Sequence, residues 1–168
     1  MTRKELSVIQ ARIEEELTNI DLLLSELQKR GYLQVEDDAR KKNLFAEDGF
    51  MLRAIGSVLH DFYVIAENIF EIIGREIDES LPQGNDWHIQ LLRQMALEIS
   101  RVRTAVISKD TSFKLDKYRA FRHVFRNVYG YNLDAVKIKE LLEDFPQTVE
   151  HFRQDLKLFL KNMEAIIE

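Results

Sequence analysis

Leu52-Arg-Ala-Ile-Gly-Ser-Val-Leu-His-Asp-Phe-Tyr-Val-Ile-Ala-Glu-Asn-Ile-Phe-Glu-Ile-Ile-Gly-Arg-Glu-Ile77 carries more apolar side chains than one amphipathic stripe can hold. At 100° per residue they sort into two stripes, Ile55, Val58, Phe62, Ile65, Ile69 and Ile72 on one side and Leu52, Leu59, Tyr63, Phe70, Ile73 and Ile77 on another. A helix that is apolar in two directions is covered from two directions. The run therefore predicts a central helix over about 47–79, with His60, Asp61, Glu67, Asn68 and Glu71 on what face is left.

The flanking sequence supplies the helices that cover it. Upstream, Leu6, Ile9, Ile13, Ile20, Leu23 and Leu27 keep a three-four alternation that predicts a long amphipathic helix over 3–30, stopped by Gly31. Residues 31–46 lose this periodicity and read as a connection. Downstream, Leu81-Pro-Gln-Gly-Asn-Asp86 is a turn whose Asn85 or Asp86 can cap a third helix, predicted from Trp87 to about Ile107 with Leu92, Met95, Ile99, Val102 and Val106 inward. Trp87 and His88 read as a plug at the end of the core. After the polar break 108–111 a fourth helix is predicted over 112–129, ended by Gly130, and a fifth restarts at Asn132 or Asp134. Pro146 predicts a kink or break before the last inward stripe, Val149, Phe152, Leu156, Phe159, Leu160, Met163 and Ile167.

Composition agrees with an all-α chain. Two prolines and six glycines in 168 residues leave the periodic runs almost unbroken, and 45% hydrophobic content is enough for a core. The expected architecture is an antiparallel up-and-down bundle of four long helices plus a short one, forming a single domain over 1–168. Cysteine is absent, which removes disulfides, thiolate nucleophiles and sulfur-ligated zinc. The four histidines, His60, His88, His123 and His151, show no metal-binding spacing, so neither a metal nor a cofactor is expected. The N-terminus lacks an apolar signal core and no uninterrupted apolar run reaches about 20 residues, so a cytoplasmic protein without membrane contact is expected.

The charge distribution singles out one region. The net charge is −5, yet 101–126 holds eight Lys and Arg against two acids, +6 locally, leaving −11 elsewhere. Within it, Lys117-Tyr-Arg-Ala-Phe-Arg-His-Val-Phe-Arg-Asn-Val-Tyr-Gly-Tyr-Asn132 places Tyr118, Phe121, Val124, Phe125 and Val128 on one arc and Arg119, Arg122, His123, Arg126 and Asn127 on the opposite one. A cationic face around an imidazole fits an anionic partner such as RNA. The same arginines can instead be neutralised by acids on neighbouring helices.

Two segments, 118–134 and 67–78 leading into the Pro82–His88 turn, resemble the HEPN superfamily in its HepT-like branch of prokaryotic toxin and nucleotidyltransferase-associated proteins. The resemblance is good over 47–134 and loose at the ends. It implies a four-to-five-helix bundle, commonly a homodimer, in which arginine-bearing helix ends of two subunits form an RNA-cleaving site, tRNA being one substrate to consider. It also implies a minimal nucleotidyltransferase antitoxin as partner, which modifies a tyrosine near the site. The family motif is an Arg, often followed by Asn, with a His after four to six intervening residues and often a Tyr. Arg126-Asn127 opens it, but Tyr131, Asn132 and Leu133 occupy the positions where His is expected.

Tyrosine is ionised to about one part in a thousand at neutral pH, so Tyr131 is a weak substitute for a base. His123, i,i+3 from Arg126 and i,i+4 from Asn127 and Arg119, is the imidazole on that face, serving as base or ordering the arginines. The resulting assignment has Arg126 stabilising phosphorane charge, His123 as base, Asn127 and Tyr131 orienting the backbone, and Lys117, Arg119 and Arg122 on phosphate. The functional expectation is an RNA-binding HepT-like protein acting as a metal-independent endoribonuclease. The alternatives are a catalytically degenerate module serving as partner or substrate-binding subunit of the nucleotidyltransferase, and an interaction bundle docking an acidic protein.

Overall fold

A computed structural model describes residues 1–33, 49–127 and 132–167, and among these the chain is all-α. Five helices follow in order, α1 Arg3–Lys29, α2 Gly49–Glu76, α3 Trp87–Met95, α4 Lys109–Asn127 and α5 Ala135–Ile167. The connection read at 31–46 lies mostly outside the described residues.

α1 begins with a capping box: Thr2 Oγ1 accepts from the Glu5 amide at 3.3 Å, and the Thr2 amide donates to Glu5 Oε2 at 2.7 Å. It ends at Gly31 with φ +77°, where Tyr32 N–H reaches the Leu27 carbonyl and Gly31 N–H that of Gln28. That pair of bonds requires a left-handed residue, which glycine supplies without strain.

α2 is the centre of the bundle, as its two stripes predict. It packs against all four other helices, and Phe62, Tyr63, Ile69, Phe70 and Ile73 are sealed from solvent. The Phe62 ring meets Tyr118 of α4 and Phe145 of α5 edge-on, with centroids 5.1 and 5.0 Å apart, so one side chain joins three helices. By length and composition α2 is the one described helix apolar enough to cross a membrane; here α1, α4 and α5 cover its faces.

Two expectations are corrected. The third helix ends at Met95 and not near Ile107. The Arg103 guanidinium bonds the carbonyls of Gln94 and Leu97, near the exit where further turns would grow, and the chain folds back so that the Val106 and Ile107 amides reach the Met95 carbonyl. Val102, expected inward, is 38% exposed. Pro146, expected to break the last helix, lies inside a continuous 33-residue α5. A proline removes one i→i−4 bond, but the flanking Phe145, Val149 and Phe152 are all buried, and their packing holds the helical path across it.

Candidate functional site

α4 carries the sequence-predicted site, and its inward side is set by Thr111, Leu115, Tyr118 and Phe121, all buried. The Tyr118 hydroxyl donates to the Leu141 carbonyl at 2.7 Å, fixing the rotation of α4 against α5. Steps of four, three and four from Thr111 through Leu115 and Tyr118 lead to Arg122, so that arginine faces inward. Val124 turns outward and is 51% exposed. The arcs read from the sequence are thus rotated: Arg122 belongs to the packed side and Val124 to the solvent side.

Most cations of 101–126 are matched within the chain. Arg103 is fully enclosed and pairs with Asp78. Arg119 Nε donates to Asp116 Oδ1 at 2.6 Å, Lys117 Nζ lies 3.1 Å from Asp144 Oδ2, and Lys114 Nζ lies 3.6 Å from Asp110 Oδ2. Arg122 reaches across to α2, where its Nη2 lies 3.2 Å from Glu67 Oε1. Its Nε is buried with no hydrogen-bond acceptor among the described residues.

The end of α4 is different. His123, Arg126 and Asn127 are exposed there. Arg126 and the His123 ring make no ion pair or side-chain hydrogen bond among the described residues, whereas Asn127 Nδ2 donates to the His123 carbonyl at 2.7 Å. The structure therefore brings His123, Arg126 and Asn127 to one exposed helix end. It separates them from Arg119, Arg122 and Lys117, which are held by acids. Tyr131 and the Gly130 stop lie outside the described residues. Beyond them Asp134 Oδ1 caps α5, accepting from the amides of Val136 and Lys137 at 2.9 and 3.2 Å.

One cluster escaped the sequence reading. Glu67 of α2 is 4% exposed and holds two partners: Arg122 on Oε1 and His88 of α3, whose Nδ1 lies 2.5 Å from Oε2. The Trp87 ring stacks beside His88 at 3.6 Å, so the plug expected of Trp87 and His88 is also an electrostatic joint between α2, α3 and α4. A signal for it exists in the sequence. Tyr63, Glu67 and Phe70 are spaced by four and three, which places a carboxylate inside an apolar stripe, and a buried carboxylate needs a partner. Burial first, and then the Glu67 charge, pushes the neighbouring Tyr63 phenol well above its ordinary pKa, so Tyr63 stays neutral.

No group of three or more His, Asp or Glu side chains among the described residues is placed to hold a metal ion. The architecture is that of an α-helical HEPN-type bundle presenting one helix end. Residues 54–163, from the first turns of α2 almost to the end of α5, match the family model described as HepT-like protein, and since they make up well over half of the chain, it belongs to the HepT-like family. No curated protein and no solved structure matches it.

Proposed function

We propose that the chain is the HepT-like member of a prokaryotic toxin–antitoxin type pair, which grips RNA at the C-terminal end of α4 and cleaves it without a metal ion, working as a homodimer. The observation that carries this reading is the contrast along α4. Arg119, Arg122 and Lys117 are spoken for by Asp116, Glu67 and Asp144, while Arg126 and His123 stand exposed without partners among the described residues. An uncommitted guanidinium keeps its fork of N–H donors for a phosphodiester. In the proposed reaction the ribose 2′-oxygen forms a bond to the adjacent phosphorus and the P–O5′ bond breaks. An imidazole accepts the 2′ proton, the departing 5′-oxygen takes a proton from water, and Arg126 stabilises the charge that builds on phosphorus. A single helix end offers one wall to RNA; a second copy of the chain supplies the other.

Incubating the purified protein with total tRNA in EDTA tests this reading. Fragments ending in a 2′,3′-cyclic phosphate are expected, and intact RNA refutes cleavage.

The second reading is a catalytically degenerate module that binds a minimal nucleotidyltransferase or its substrate. It is favoured by the Asn127 amide, which is committed to the His123 carbonyl, and by the absence of His at 131–133. Under it, Arg126→Ala and His123→Ala alter affinity alone; under the first, Arg126→Ala lowers both affinity and turnover.

A further inference from the structure

The imidazole best built to accept a proton in this chain is His88. Nδ1 lies 2.5 Å from Glu67 Oε2, and because it faces a carboxylate oxygen we assign it the hydrogen, donated to Glu67. In the neutral ring the lone pair is then on Nε2, which has no partner among the described residues, and the side chain is 27% exposed. Two contacts hold the ring. Glu67, itself 6% exposed at its side chain and with its far oxygen 3.2 Å from Arg122 Nη2, anchors one edge, and the Trp87 ring lies against one face with centroids 3.6 Å apart and planes tilted by 33°. His123, by contrast, has nothing among the described residues to orient its ring.

The position fits as well as the chemistry. Arg122, whose guanidinium pairs with Glu67, precedes Arg126 by four residues, so the dyad is joined to α4 one turn, about 6 Å along the axis, before the backbone position of the exposed Arg126. A carboxylate-oriented imidazole with its second nitrogen open is the general-base arrangement in which the carboxylate sets tautomer and ring orientation. We infer that His88, oriented by Glu67 and reached from α3, is the general base of this protein, supplying the function that the α4 motif lacks at 131–133. The inference rests on the ribonuclease reading. In the step, Nε2 takes the 2′-hydroxyl proton as the O2′–P bond forms and the P–O5′ bond breaks; the 5′-oxygen is protonated by water, and His88 returns its proton to solvent. Glu67 and Arg122 are positioning residues.

His88→Asn separates catalysis from architecture, because the asparagine amide can still donate to Glu67 while no base stands at the Nε2 position. Cleavage of tRNA in EDTA is expected to fall by about 10²–10⁴-fold with RNA affinity and melting temperature unchanged. His88→Ala should recover part of its turnover with added imidazole, which a purely structural side chain would not allow. Glu67→Gln is expected to lower kcat more than it raises KM. Cleavage by His88→Asn within about threefold of wild type, or failure of imidazole to restore His88→Ala, overturns the assignment and leaves the ribonuclease reading standing. A wild-type protein that binds RNA but leaves it intact overturns both.

Discussion

Replacing Arg103 with methionine tests whether the cationic segment is architecture or interface. The guanidinium makes five hydrogen bonds: Nε and Nη2 to the two oxygens of Asp78 at 2.5 and 2.8 Å, Nη1 to the carbonyls of Leu97 and Thr104 at 2.8 and 3.1 Å, and Nη2 to that of Gln94 at 3.1 Å. Every one of its N–H donors is used. The two charged side chains are 0% and 1% exposed, so truncation strands a buried carboxylate that keeps, among the described residues, only Gln94 as a side-chain partner, at 2.6 Å. Removing one member of such a pair costs about 3–5 kcal/mol. For a chain of this size that lowers the melting temperature by about 6–20 °C. The assay is thermal and urea unfolding followed by helical circular dichroism on the single variant and on the double variant Arg103→Met, Asp78→Leu. Replacing both charges with apolar groups should recover much of the loss, because the desolvation cost of the pair leaves with its attraction. A single-variant loss below about 1 kcal/mol, or a double variant less stable than the single, would refute the reasoning.

Phe62→Ala and Ile69→Ala, both at positions sealed within α2, should each cost about 2–5 kcal/mol in the same unfolding assay, and a loss below about 1 kcal/mol would mean the core is centred elsewhere. In RNA-binding titrations across salt concentrations, Arg126→Ala should reduce the log-log slope by about 0.7, one single-strand phosphate contact, while Lys117→Ala should leave it nearly unchanged because Asp144 already neutralises that charge. Equal slopes for wild type and Arg126→Ala would return the end of α4 to a solvated surface. Light scattering at micromolar concentration should give about twice the 19.8 kDa chain mass, and a monomer would remove the two-walled cleft.

The helical class, the central position of α2 and the starts of most helices were legible in the sequence because they depend on short-range rules. Two apolar stripes at helical spacing cannot be satisfied except by burial on two sides, and Gly31 and Asp134 act on backbone groups within five residues of themselves. The family was legible too, since its arginine-bearing segment is contiguous. Tertiary contacts decided the rest. Whether Arg103 and Arg122 face a ligand or a carboxylate depends on Asp78 and Glu67, 25 and 55 residues away along the chain, and only packing brings those charges within reach. The same holds for the early end of α3, set by where the Arg103 guanidinium lodges, and for the unbroken α5, where buried Phe145, Val149 and Phe152 outweigh a local proline. Charge pairing in an interior acts across space, and sequence periodicity records only which way a side chain leaves its own helix.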